Sequence, residues 1–205
     1  SNAISEKNPE RAQAAQLSLP TLTRAQALAV LMSESRSIAI AGTHGKTTTS
    51  SMLTVALQAA AQDPSFAIGG TLNASGSNSH RGTGSLFVAE ADESDGSFLH
   101  YDTAIALITN VDADHLDHYG SEEAFEAEFA RFAQGAKDFI AISSDDPGAV
   151  RVTRLIKDHR IIRFGHADDA EVRLHDIDAS GARVSFSVEY QGKSYSAQLN
   201  VPGEH

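Results

Sequence analysis

Six consecutive residues, Gly42-Thr43-His44-Gly45-Lys46-Thr47, have the types and spacing that hold a polyphosphate. Two glycines three apart let backbone N–H groups approach phosphate oxygens, a lysine follows at once, and a hydroxyl stands beside it. Behind the turn, residues 37–41 read as a buried strand. Ahead of it a helix is expected over 47–61, with Met52, Leu53, Ala56 and Leu57 as its apolar face. Strand, glycine turn and Lys-Thr opening a helix is a phosphate-binding arrangement, because the helix N-terminus adds unpaired N–H donors and partial positive charge. In such a site Lys46 reaches the terminal phosphates and the Thr47 hydroxyl binds Mg²⁺, so the phosphate-holding set runs Gly42, Thr43, His44, Gly45, Lys46, Thr47 and Thr48. The longer form of this loop would need glycine where Ile40 stands, so only the short form is present. The His44 ring has two readings, contact with phosphate or simple tolerance of the turn geometry.

Two further apolar runs end in chemically loaded sequence. The strand expected at 86–90 closes on Glu90, where an enzyme with such a loop places an acidic Mg²⁺ ligand; one hydroxyl and one or two carboxylates suffice for an ion that keeps its waters. Asp92, Glu93 and Asp95 follow, readable as site residues or as a solvated, capping loop. The strand expected at 103–110 runs into Asp112, Asp114, His115 and Asp117, where His115 is either the ligand of a second divalent ion or a surface histidine beside acids. In an open parallel sheet ligands bind beyond the carboxyl ends of the strands, so these three segments should meet in one crevice.

The elements that must position them alternate. A helix is expected at 23–34, capped by Thr23 with Ala27, Leu28, Leu31 and Met32 inward, and a short strand at 66–68. Residues 69–84, rich in Gly, Ser, Asn and Thr, read as a long loop. A helix from the Ser121 cap to about 137 turns Phe125, Phe129, Phe132 and Ala133 inward. A strand at 139–143, a helix opened by Asp146-Pro147 and a strand at 160–164 follow. This is α/β sequence, a mostly parallel sheet flanked by helices. Residues 171–177, 183–190 and 193–201 instead alternate apolar and polar about a Gln191-Gly192 turn, which predicts a small antiparallel sheet at the C-terminal end (170–205), attached to the main one.

Of 205 residues 41% are hydrophobic and 21% charged, ordinary for a globular chain, and the net charge of −11 argues against a nucleic-acid surface. An acidic protein must hold phosphates with local groups: N–H dipoles, one lysine and metal ions. The chain has no cysteine, and no apolar run reaches the ~18 residues of a membrane span. No secretory signal is visible, and ATP chemistry suits the cytoplasm. Ser1-Asn2-Ala3 resembles a tag-cleavage scar, residues 4–22 read as a linker, and the end at Pro202-Gly203-Glu204-His205 reads as a cut, so a domain over 23–205 from a longer protein is expected.

Three segments in order, Gly42-Thr-His-Gly-Lys-Thr-Thr-Thr49, Glu90-Ala-Asp-Glu-Ser-Asp-Gly-Ser-Phe98 and Thr109-Asn-Val-Asp-Ala-Asp-His-Leu-Asp117, resemble the Mur ligases, the ATP-dependent amide-forming enzymes of peptidoglycan synthesis. They are most similar to the branch that joins L-alanine to UDP-N-acetylmuramate. A branch that recycles murein tripeptide shares the first segment but tends to carry Glu-Tyr-Asp in place of Glu93-Ser94-Asp95. The resemblance implies the central, ATP-binding domain of three, with ATP and Mg²⁺ as cofactors and Lys46, Glu90 and His115 as the catalytic set. Thr47 and Glu90 would hold one Mg²⁺ and His115 would lie near a second. It also implies that UDP-N-acetylmuramate and L-alanine are the partners of the full-length enzyme, and that the fragment alone is inactive in ligation. Sister branches bridge the metals with a carbamylated lysine. Position 130 here is Ala130, so the resemblance implies another bridge in this branch, for which Glu93 is one candidate. A different phosphotransferase or nucleotide switch built on the same loop would need neither the Glu90 and His115 positions nor a sugar nucleotide.

Overall fold

The computed structural model describes residues 4–5, 7–73, 75–114 and 119–200. Ten strands form one sheet: β1 (Arg36–Ala41), β2 (Ser65–Leu72), β3 (Ser77–His80), β4 (Leu86–Glu90), β5 (Ile105–Ile108), β6 (Phe139–Ser143), β7 (Ile161–Gly165), β8 (Val172–Asp178), β9 (Val184–Tyr190) and β10 (Lys193–Leu199). Their spatial order is β10-β9-β8-β7-β6-β5-β1-β4-β2-β3. The seven strands from β2 to β8 across the centre run parallel, and β3, β9 and β10 add antiparallel edges.

β1 lies at the middle because every residue from Ser37 to Ala41 is buried, as a strand covered on both faces requires. Ile38 and Ile40 face one way, joining Phe66, Ile68, Leu72 and Val88 beneath Leu53 and Leu57 of helix α3 (Lys46–Ala59). Ala39 and Ala41 face the other way, joining Ala106, Ile108, Ile140 and Ile142 beneath α4 (Glu122–Gln134) and α5 (Pro147–Leu155). Helix α2 (Arg24–Met32) covers the same face at Phe87 and Ala89 through Leu28 and Met32. The two faces follow from the chain path. From β1 the chain moves one way to β2 through α3, whereas β4, β5, β6 and β7 step back the other way, and crossovers of one hand then fall on opposite faces. The reversal at β1 opens a crevice at the carboxyl ends of β1, β4 and β5.

The inward set expected for α4 is observed: Phe125 and Phe129 are fully buried, with Phe132 and Ala133 beside them. These rings seat Phe98 of a 3-10 turn (Ser97–His100), stacked at 5.0 Å on Phe132 and edge-on at 5.4 Å to Phe129, so the segment after Glu90 is anchored to the core. Ser121 caps α4 and Pro147 opens α5 as read from the sequence, and Asp146 supplies the cap of α5.

Several expectations are corrected. Residues 4–22 are not all linker, because Asn8 caps a helix, α1 (Pro9–Gln16), that buries none of its residues. The 69–84 loop contains the second half of β2 and all of β3, a polar edge hairpin whose low hydrophobicity hid it. The C-terminal antiparallel strands β8, β9 and β10 are, by contrast, as expected, attached to the main sheet. β8 pairs with β7 at Phe164 and Gly165 and so extends the main one. On α2 the inward residues are Ala25, Leu28 and Met32, while Leu31 is 67% exposed. On α3 Ala56 is exposed and the fully buried positions are Ser50 and Thr54. Their hydroxyls bond back to the carbonyls of Thr47 (3.1 Å) and Ser50 (2.7 Å), which lets small polar residues sit against a sheet. Among the described residues no helix is long and apolar enough to cross a membrane.

One polar clamp joins α4 to α5. Arg151 donates to Glu126 Oε1 at 2.5 Å and also to Glu122. Glu126 is only 7% exposed, so Arg151→Ala strands a buried carboxylate. Arg151 is itself 42% exposed and screened, which limits the expected loss to about 1–2 kcal/mol. A thermal melt should show a fall of roughly 5 °C, most of it recovered by adding Glu126→Gln.

Candidate functional site

The glycine turn leaves β1 at a point where no side chain fits. Gly42 has φ +145°, and a Cβ there would lie 2.0 Å from Thr109 Oγ1. Gly45, at φ +81°, is the N-cap of α3 and offers no side-chain cap, whereas α1, α2, α4 and α5 are capped by Asn8, Thr23, Ser121 and Asp146. The first-turn N–H groups of α3 are therefore left for an acceptor in the crevice.

The end of β5 straps the turn in place. His44 N donates to Asn110 Oδ1 at 2.8 Å, and the His44 carbonyl accepts from Asn110 Nδ2 at 2.9 Å and Thr109 Oγ1 at 2.7 Å. Thr43 N donates to the Asn110 carbonyl, and Asp112 N donates to Thr43 Oγ1 at 3.0 Å. Thr109 and Asn110 thus act on the turn, a role their position at a strand end did not reveal. The His44 side chain is 70% exposed, with Nε2 3.8 Å from Asp112 Oδ2.

Lys46 and Thr47 point to different acids. Lys46 Nζ donates to the Gly42 carbonyl (2.6 Å), the Thr43 carbonyl (3.3 Å) and Glu93 Oε1 (2.9 Å). Glu93 is 2% exposed and its Oε2 has no hydrogen-bond partner among the described residues. Burial pushes its pKa up and Lys46 opposes that. The Tyr119 hydroxyl donates to the Glu93 carbonyl, and burial raises that phenol to about 12. Thr47 Oγ1 lies 3.0 and 2.9 Å from the two oxygens of Glu90, and Gly69 N donates to Glu90 Oε2 at 2.6 Å.

A hydroxyl and a carboxylate in contact at the mouth of a phosphate turn are hard oxygen donors that fit Mg²⁺. Among the described residues no group of three or more His, Asp or Glu is arranged to hold a metal, so further ligands would come from phosphate and water. His115 lies outside the described residues. Glu93, the candidate metal bridge, is instead committed to Lys46.

Two clefts flank the turn. On one side Lys46, Glu90, Asp92, Asp95, Arg24, His100 and Tyr101 line a polar cleft of about 620 Å³. On the other His44, Gly45, Thr48 and Met52 of the turn and α3 face Leu107, Phe164, Leu174, Val184, Phe186 and Leu199 across an apolar cleft of about 560 Å³. The second cleft is lined from strands β7 to β10 on one side and from the turn and α3 on the other, and sequence reading missed it because its residues are scattered from His44 to Leu199.

A family model described as the Mur ligase middle domain matches residues 40–205. The UDP-N-acetylmuramate–L-alanine ligase of Clavibacter sepedonicus is 53% identical over 203 residues, which is 99% of this chain and 42% of that protein. The solved UDP-N-acetylmuramate-alanine ligase MurC of Thermotoga maritima superposes with a TM-score of 0.81 at 28% identity, over 98% of this chain and 46% of that one. The UDP-N-acetylmuramate:L-alanyl-gamma-D-glutamyl-meso-diaminopimelate ligase of Neisseria meningitides shares the fold, with a TM-score of 0.82 at 24% identity over 98% of this chain and 67% of that one. The chain spans less than half the length of the L-alanine ligases it matches. On the family match and the fold together, this chain belongs to the Mur ligases, as a middle domain of that family.

Proposed function

We propose that this is the ATP-binding middle domain of a cytoplasmic ligase that joins L-alanine to UDP-N-acetylmuramate in peptidoglycan synthesis. The domain would run over 23–205, and the domains holding the sugar nucleotide and closing over ATP would lie outside it. The observation that carries the reading is the meeting of Lys46, Thr47 and Glu90 at the mouth of an uncapped helix, in a chain 53% identical to a ligase of that name.

On this reading the work is divided among the residues of the turn and the two clefts. The 42–48 turn and the N-terminus of α3 bind the phosphates, with Lys46 on the terminal ones, and the apolar cleft beside His44 and Thr48 takes the base. Thr47 and Glu90 would hold Mg²⁺, and His115 a second divalent ion. When bound, Mg²⁺ neutralises the charge on the transferring phosphoryl group. The polar cleft on the Lys46 side takes the carboxylate of the sugar nucleotide. That carboxylate oxygen attacks the γ-phosphorus and the bond to ADP breaks, giving an acyl phosphate. The alanine amine then attacks the carbonyl carbon, phosphate leaves with the C–O electrons, and the nitrogen loses its protons to solvent. The protein's share is orientation and charge neutralisation rather than a general base.

A full-length ligase carrying this domain should release ADP in the presence of UDP-N-acetylmuramate and L-alanine, and the isolated chain should bind Mg-ATP in a calorimetric titration without ligating. Release of ADP with the murein tripeptide in place of L-alanine would assign the protein to the recycling branch, whose fold this chain shares equally well. Product from the isolated chain would refute the need for the flanking domains.

A further inference from the structure

Lys46 and Glu93 form the least solvated ion pair of the site, with side-chain exposures of 16% and 2%. All three ammonium protons of Lys46 are in use: two on the carbonyls of Gly42 and Thr43, one on Glu93 Oε1. The three acceptors are unequal. The two carbonyls belong to the mouth of the turn, where arriving phosphate oxygens are stronger, charged acceptors. Glu93 is different, because its other oxygen is buried without a partner among the described residues, so losing Lys46 would leave an uncompensated charge inside the protein. Its backbone is held as well, by the Tyr119 hydroxyl and by the seating of Phe98 among the α4 rings.

We propose that Glu93 is the positioning residue of the phosphate site: Lys46 exchanges its bonds to Gly42 and Thr43 for phosphate oxygens while turning about a retained bond to Glu93. The pivot fixes where the ammonium stops, and hence which phosphoryl oxygens it neutralises. This rests on the reading of Lys46 as a phosphate ligand. Without the pivot the ammonium is free to follow ground-state phosphate, and a negative charge beside the polyphosphate is gone. Binding of ATP then holds or tightens while transfer slows, because placement at the reacting group is lost.

Two measurements test it. In a full-length ligase carrying this domain, Glu93→Gln is expected to lower kcat about 30-fold with KM for ATP unchanged or lower, a split that general loosening of the fold would not produce. A kcat within about threefold of the parent, or a raised KM at unchanged kcat, overturns the proposal. In the nucleotide-free chain, Lys46→Ala is expected to lower Tm by about 5 °C, and adding Glu93→Gln to restore most of that, since the buried charge is removed with its partner. A double variant less stable than Lys46→Ala overturns the coupling. This melting cycle needs no catalysis, so a parent enzyme that showed no ATP-dependent turnover would sink the functional reading while leaving the Lys46–Glu93 pair to be decided separately.

Discussion

Replacing Lys46 by alanine in a full-length ligase carrying this domain should reduce turnover about 10³-fold while the protein stays folded. The crevice has few cations to meet an incoming polyphosphate. The chain as a whole carries −11, and Glu90, Glu93, Asp92 and Asp95 crowd the same side of the turn. Among the described residues Lys46 is the one cation that bonds both the turn and the loop after β4. Its loss removes charge neutralisation at the reacting phosphate, where a single such contact is worth on the order of 3–4 kcal/mol of barrier. It also leaves Glu93 bare, which adds repulsion to the lost attraction. Steady-state ADP release and calorimetric titration with Mg-ATP check this, and turnover within tenfold of the parent would remove Lys46 from the mechanism. Restoring length without shape should not help: Lys46→Arg places a planar fork where a compact ammonium reaches the Gly42 carbonyl at 2.6 Å.

Gly42→Ala should damage the site from the other direction, through the backbone. At φ +145° any L side chain is strained, and the added Cβ would fall 2.0 Å from Thr109 Oγ1 and 3.2 Å from the backbone N and O of Asn110. Thr109 has little freedom to turn away, because its hydroxyl bonds the His44 carbonyl at 2.7 Å and thereby holds the turn. We expect a loss of about 3 kcal/mol, a Tm lower by about 10 °C, and Mg-ATP affinity reduced at least 100-fold. Adding Thr109→Ala should recover only part of the stability, since the strained φ and the Asn110 backbone contacts stay. An unchanged Tm and affinity in the single variant would show that the turn is far softer than its contacts imply.

The sequence made the chemistry of this domain legible where the chemistry is local. A turn that brings N–H groups to phosphate needs consecutive residues, so Gly42 to Thr48 could be read together, and the strand before it and helix after it follow from short-range periodicity. Glu90 was legible for the same reason, as the end of an apolar run. Its convergence on the crevice of the turn was expected, and there its carboxylate lies 2.9–3.0 Å from the Thr47 hydroxyl. The α4 phenylalanines, the cap at Ser121 and the start of α5 at Pro147 were likewise set by residues close in the chain.

What only the tertiary structure decided lies in relations between distant segments. Nothing near Glu93 in the chain marks it as the partner of Lys46, 47 residues away; packing of the 3-10 turn under α4 buries that carboxylate and leaves the ammonium as its counter-charge. Thr109 and Asn110 look like the end of a strand until β5 is laid beside β1 and its end falls across the turn. The apolar cleft is lined from strands β7 to β10 together with the turn and α3, and no alternation along β8 to β10 could place it, because periodicity reports which face of a strand is dry but not what lies across from it. Periodicity and turn chemistry act over a few residues and are written in the chain, whereas burial, pairing and the partner of a charge depend on contacts that exist only once the chain has folded.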